Sequence, residues 1–150
     1  MEKCFLGCYT HTLDSQRRVA IPKDWRNVPG VNDVLFYLIP GRHKSIQILP
    51  KELFETEILA KIKKVSFADD EKTRALGRIG SRASQSICDK QGRITLTKEL
   101  MDHAGLTNQA VLIGALTTIQ IMTPETWAEN DMGNDEMLDQ ILKIHNTEVS

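Results

Sequence analysis

Two pentapeptides of one pattern, Asp14-Ser15-Gln16-Arg17-Arg18 and Asp89-Lys90-Gln91-Gly92-Arg93, carry the residue types that could do chemistry in this chain. Each holds one carboxylate and one guanidinium four residues apart. A carboxylate inside a tight turn accepts hydrogen bonds from the turn's backbone N–H groups, and a guanidinium presents a planar fork of donors that suits phosphate or the edge of guanine. That is recognition chemistry, with no bond made or broken. On spacing alone two uses stay open: the arginine faces an external anion, or Asp and Arg pair with each other or across the molecule. The candidate organisers are Asp14 and Asp89, with Gly92 supplying a turn glycine. The candidate contacts are Arg18 and Arg93, with Gln16, Arg17 and Lys90 beside them.

Each pentapeptide needs two strands to hold it. Phe5 to Leu13 is β-rich and places Phe5, Tyr9, His11 and Leu13 on one face; Val19 and Ile21 resume the alternation beyond the loop. Pro22 opens a short turn of helix carrying Trp25 and Arg26. Val34 to Ile39 is a continuous apolar run, read as a strand buried on both faces or packed at a subunit boundary. Arg42, His43 and Lys44 tip a hairpin, and Ile46-Gln47-Ile48 returns. Pro50 then opens a helix with Phe54, Ile58, Ile62 and Val65 on one stripe. A second helix starts at Asp69-Asp70-Glu71 and reaches about Ile79, with Arg74, Arg78 and Arg82 in a row suited to phosphates, to a solvated face or to intersubunit salt bridges.

The second half then repeats the first. Ser84 to Cys88 leads into the Asp89 loop, Ile94-Thr95-Leu96 answers Val19-Ala20-Ile21, and Thr97 caps a short helix ending at Gly105. Ala110 to Leu116 answers the Val34 run, Ile119-Gln120-Ile121 repeats Ile46-Gln47-Ile48, and Thr123-Pro124-Glu125 opens a helix bearing Trp127. A β-loop-β-helix-β-β unit is thus written twice. The divisions are 5–57 and 81–130 for the two units, 58–80 for a helical connector, and 131–150 for a tail or short helix with an apolar stripe at Met137, Leu138, Ile141 and Leu142.

The 150 residues, 41% of them apolar, suffice for one compact unit with a core. No apolar stretch approaches membrane-spanning length, and the N-terminus lacks a secretory pattern, so a soluble cytosolic protein is expected. Three cysteines at irregular spacing argue against a disulfide framework. Charge is uneven: 18 Lys and Arg face 11 Asp and Glu before residue 99, and Lys143 alone faces nine acids after it. A basic body with an acidic end is compatible with nucleic-acid contact. Cys4, Cys8 and His11 lack the spacing of a zinc site, Cys88 lacks a nucleophile elbow or partner pattern, and no glycine-rich phosphate loop is present. Neither enzyme activity, metal nor cofactor is expected.

Phe5-Leu6-Gly7, His11-Thr12-Leu13-Asp14 followed by Arg18-Val19-Ala20-Ile21-Pro22, the Asp89 to Arg93 loop, and His103-Ala104-Gly105-Leu106 closely resemble the MraZ family of bacterial transcription regulators, from about Phe5 to Asn130. The resemblance implies an α+β fold: tandem SpoVT/AbrB-like swapped-hairpin repeats forming one pseudo-twofold β barrel flanked by helices. It also implies a homo-oligomeric ring, commonly octameric. Such a ring binds double-stranded DNA at short direct repeats upstream of the division and cell-wall gene cluster, its own promoter included, generally repressing it. A cytoplasmic, nucleoid-associated protein follows. The family's first loop usually has Gly where this chain has Arg17, and often Lys where it has Gln16. A non-Gly residue at φ > 0 costs on the order of 1 kcal/mol, so a different turn is expected there, or DNA contact offsetting the strain. Arg18 is expected as the DNA-contacting copy and the Asp89 loop as the better-formed one. The alternative is a ring-forming scaffold whose arginines serve intersubunit pairs.

Overall fold

The computed structural model describes residues 4–130 and 133–149. Thus the N-terminal residues Met1 to Lys3, and Asp131, Met132 and Ser150 of the expected C-terminal tail, lie outside the described residues. In chain order the elements are β1 (Cys8–Thr12), β2 (Arg18–Ala20), α1 (Lys23–Arg26), β3 (Leu35–Pro40) and β4 (Ile46–Pro50). A π-helical turn (Leu53–Ile58) then runs into α2 (Leu59–Ile62), followed by α3 (Asp70–Arg82), β5 (Ser84–Ile87) and β6 (Arg93–Thr95). Last come α4 (Lys98–Ala104), β7 (Gln109–Ala115), β8 (Thr118–Met122), α5 (Pro124–Glu129) and α6 (Asn134–Val149).

Local chemistry accounts for the helix ends. Asp69, Thr97 and Thr123 each accept the backbone N–H three residues on, at Lys72, Leu100 and Thr126. Gly105 closes α4 at φ 66°, the left-handed cap its missing Cβ permits. The stripe at Phe54, Ile58, Ile62 and Val65 is half-buried, although its first turns are π-helical. Phe54 stacks on Tyr37 at 4.1 Å between ring centroids, and the Tyr37 hydroxyl donates to Glu55. This covers the outer face of β3, whose Phe36 and Leu38 point into the core. The continuous apolar run of that strand thus has a helical cover within the same chain.

Six strands form one antiparallel sheet in the order β1-β7-β8-β4-β3-β5, and β2 pairs with β6 in a separate two-stranded ladder. The six-strand order reads the same from either end when β1, β3 and β4 are exchanged with β5, β7 and β8. Each first strand crosses over: β1 lies on β7 and β5 lies on β3. At the centre Gln47 faces Gln120, flanked by Ile46 with Ile121 and Ile48 with Ile119. In the small ladder Val19 faces Ile94. The core joins the two sheets: Val19, Ile21, Ile94 and Leu96 pack with Phe36, Leu38, Ile46, Ile48, Leu112, Ile119 and Ile121, closed by Trp25, Leu100 and Ala104 from α1 and α4.

The expected closed barrel is not formed. β1 and β5 remain the edges of an open sheet. After each edge strand an Asp loop turns the chain into β2 or β6, and these two pair with one another, Val19 against Ile94, so neither bridges the β1 and β5 edges. The fold is mixed α+β around antiparallel strands. α3 extends past Gly80 to Arg82, and the C-terminal stripe lies on the 16-residue α6, where Met137, Leu138, Ile141 and Leu142 are exposed. Among the described residues no helix is long and apolar enough to cross a membrane.

Candidate nucleic-acid interface

The first loop closes around its carboxylate. Asp14 Oδ1 accepts the backbone N–H groups of Gln16 at 2.9 Å and Arg18 at 2.8 Å, and Oδ2 accepts Arg18 Nε at 2.6 Å. The Arg17 N–H donates to the Asp14 carbonyl at 3.1 Å. The second loop repeats every bond: Asp89 Oδ1 accepts from Gln91 and Arg93 N–H, each at 2.9 Å, Oδ2 accepts Arg93 Nε at 2.9 Å, and Gly92 N–H donates to the Asp89 carbonyl at 2.9 Å. The amide of Arg18 holds the Asp14 carboxyl below the ordinary carboxylate range, helped by its side chain and by Gln16 against a smaller opposing effect of burial. The amide of Arg93 does the same for Asp89.

The β2–β6 ladder sets the two loops side by side. Arg93 Nη1 reaches Asp14 Oδ2 at 3.6 Å, so Asp14 sits between two guanidinium groups and Asp89 beside one. Gln16, Arg17 and Lys90 are exposed around them, while Arg18 and Arg93 are half-buried. Two guanidinium groups thus join the two carboxylates. Half-exposed ion pairs of this kind contribute little net stability, so the bonds chiefly fix geometry. Arg18 is gripped through Nε, which leaves its pair of Nη groups as a fork for planar or anionic ligands.

Arg17 adopts the turn expected of glycine. Its φ is 61°, against 77° at Gly92, so the first loop keeps the left-handed geometry in place of a different turn. Its Nε donates to the Leu96 carbonyl at 2.9 Å, which turns the side chain toward the end of the opposite strand. Arg26 is a residue that sequence reasoning left on a helical turn without a role. Its Nε donates to the Ile21 carbonyl at 3.0 Å, and a Cβ added at Gly92 would stand 2.9 Å from its Cδ and overlap Nε and Cζ. In the sequence Arg17 stands against Gly92 and Arg26 against Met101, two among many differences between the copies, so nothing local singles Arg26 out.

The other candidates stand apart from this patch. Arg74 pairs along α3 with Asp70, while Arg78 and Arg82 lie exposed on the same helix. Among the described residues no group of three or more His, Cys, Asp or Glu side chains gathers to hold a metal. Burial pushes the Cys88 thiol up to about 11, which keeps it protonated at neutral pH.

Comparison with known proteins places the chain. The MraZ protein family model matches residues 4–78 and 80–133. A transcriptional regulator MraZ of Clostridium tetani is 33% identical over 131 residues, 87% of this chain and 89% of that one. Its namesake from Oenococcus oeni is 33% identical over 138 residues, 91% and 93% of the two chains. That of Corynebacterium jeikeium is 31% identical over 135 residues, 88% and 90%. With a two-part model covering most of its length and relatives matched nearly end to end, the chain belongs to the MraZ family.

Proposed function

We propose that this protein is a sequence-specific DNA-binding transcriptional regulator that grips DNA with its two joined Asp–Arg loops. The observation that carries the reading is the pair of carboxylate-closed loops placed side by side by β2 and β6, with Arg18 and Arg93 at their ends. Arg18 makes the principal contact and Arg93 the second. Gln16 and Lys90 flank them, Arg17 adds charge in the same loop, and Asp14, Asp89 and Gly92 hold the turns. The strand exchange of β1 onto β7 and β5 onto β3 supports reading the halves as SpoVT/AbrB-like swapped hairpins. The relatives' name, transcriptional regulator, supports the role.

The sites are short direct repeats upstream of the division and cell-wall genes, including the protein's own promoter, and binding represses. One or two arginines per subunit discriminate by only about 1 to 3 kcal/mol for each good base contact. A ring of subunits, octameric in this reading, turns later contacts into intramolecular ones on regularly spaced repeats. The protein then works in the cytoplasm on the nucleoid. The test is footprinting and mobility shift on its upstream DNA with one to four repeats, alongside Arg18→Ala in size exclusion. Binding that strengthens with repeat number, and is lost in Arg18→Ala while assembly persists, supports the reading. A single repeat bound as tightly as four sinks it.

One observation favours a second reading. Both arginines are already paired to carboxylates of their own chain. A ring-forming scaffold would spend the arginines' remaining donors on intersubunit pairs and its acidic end on a partner, and wild-type protein would then leave its upstream DNA unprotected.

A further inference from the structure

The β2–β6 ladder is incomplete at both ends, in the same way. Beyond the pairs Arg18–Thr95 and Ala20–Arg93, the next residues facing one another are Arg17 with Leu96 and Gly92 with Ile21. An antiparallel pair of this type exchanges two N–H···O bonds. Here one of each is made: Leu96 N–H donates to the Arg17 carbonyl and Ile21 N–H to the Gly92 carbonyl, both at 2.9 Å. The return bonds cannot form, because the Arg17 and Gly92 N–H groups close their own loops onto Asp14 and Asp89. The carbonyls of Leu96 and Ile21, residues that are 0% and 2% exposed, are therefore left without a backbone donor. A buried carbonyl left unpaired is costly.

A guanidinium fills each vacancy, and the two come from unrelated positions. Arg17 Nε bonds Leu96 O at 2.9 Å and Arg26 Nε bonds Ile21 O at 3.0 Å. Leu96 and Ile21 are equivalent in the two copies; Arg17 and Arg26 are not, since their counterparts are Gly92 and Met101. Gly92 has no side chain to send, and the space a Cβ would occupy is where Arg26 lies. The first copy thus furnishes both guanidinium groups, one from its loop and one from α1.

We propose that Arg17 and Arg26 are an equivalent pair of positioning residues: each bonds the open carbonyl at one end of the β2–β6 ladder, and together they set the relative placement of Arg18 and Arg93. Arg18 directly follows Arg17, and Arg93 directly follows the Gly92 on which Arg26 lies. This assigns Arg17 to supporting the contact surface in place of touching DNA. The role in binding rests on the DNA-reading function proposed above; the pairing itself does not.

The test uses the full chain with Arg17→Ala, Arg26→Ala, and Arg17→Gly alone and combined with Met101→Arg, which rebuilds the second copy's arrangement in the first. Amide hydrogen exchange is expected to show a crossed pattern. Arg17→Ala loses protection at Leu96 and keeps it at Ile21, and Arg26→Ala does the reverse. On promoter DNA each alanine variant binds about tenfold more weakly, the low end of what one good arginine–base contact is worth, because Arg18 or Arg93 is misplaced. The slope of log K against log salt is unchanged, whereas loss of a phosphate contact lowers it by about one per subunit. The double variant regains most of the affinity that Arg17→Gly loses. Uncrossed or absent exchange effects overturn the pairing, and a slope reduced in Arg17→Ala makes Arg17 a contact and overturns its assignment. Should the double variant fail to fold, the crossed pattern decides alone. Wild-type protein that ignores promoter DNA sinks the proposed function while exchange still judges the pair.

Discussion

The loops at Asp14 and Asp89 share the same backbone hydrogen bonds and differ in what lies beneath them. The first carries its supporting guanidinium on its own Arg17 and accepts φ 61° at a residue with a side chain; the second has Gly92 at φ 77° and borrows Arg26 from α1. Left-handed backbone costs a non-glycine residue about 1–2 kcal/mol. A hydrogen bond from a charged donor to a buried carbonyl is of similar size, so the Arg17 loop offsets its strain locally. Gly92 is demanded twice over, by its torsion and by the arginine resting on it. A glycine missing from a repeated motif therefore does not mark a failed copy when the new side chain answers a need that another residue meets in the other copy.

The sharpest way to break this comparison is to give both loops a side chain. Gly92→Ala imposes left-handed strain and displaces Arg26, so it should destabilise the fold by about 2–4 kcal/mol. Arg17→Gly relieves strain while losing one bond and should stay within about 1 kcal/mol of wild type. Thermal or denaturant melts compare them, and equal effects would deny the asymmetry. Next, Arg18→Ala should weaken promoter DNA binding by about 10- to 100-fold per contact, and Arg93→Ala by less, because one Nη of Arg93 is already held by Asp14. A mobility-shift titration ranks the two.

Acid probes the same contrast more gently. Both carboxyls sit below their ordinary range, so the native state takes up these protons less readily than the unfolded chain. The stability they contribute is complete above the ordinary carboxylate pKa of about 3.9 and disappears as pH falls through the lower native values. Carboxyl-carbon NMR should find both groups titrating below that value, and either one titrating at or above it would mean its loop is open. Asp14→Asn should lower the melting temperature more than Asp89→Asn, since Asp14 serves two arginines. The smallest effect concerns the residues just before the two aspartates. Leu13 is buried and its counterpart Cys88 is half-buried with a thiol near 11, so alkylation at neutral pH should mark the exposed Cys4 well before Cys88. Mass spectrometry over time settles the order.

Much of the local structure was legible because it depends on residues within a few positions of each other. The Thr97 and Thr123 caps, the Gly105 stop, the helical stripe from Phe54 to Val65 and the doubled Asp loops all follow from short-range hydrogen bonds or one helical period. The open sheet was not legible, nor was the role of Arg26. The sheet stays open because β2 and β6, the strands that follow its two edges, pair with each other, and Arg26 answers a carbonyl in that ladder, whose two strands are about seventy residues apart in sequence. The π-helical turn at Leu53–Ile58 also escaped, since its residues keep a helical apolar pattern whichever way the hydrogen bonds step.

By itself the sequence determined that this protein carries two carboxylate-closed loops, each ending in an arginine, because donor, acceptor and turn all lie within five residues. Only the tertiary structure decided that the loops stand together. That adjacency comes from β2 pairing with β6, and from β1 and β5 each crossing onto a strand of the other copy, so the bonds that make one surface of two loops join residues far apart in the chain.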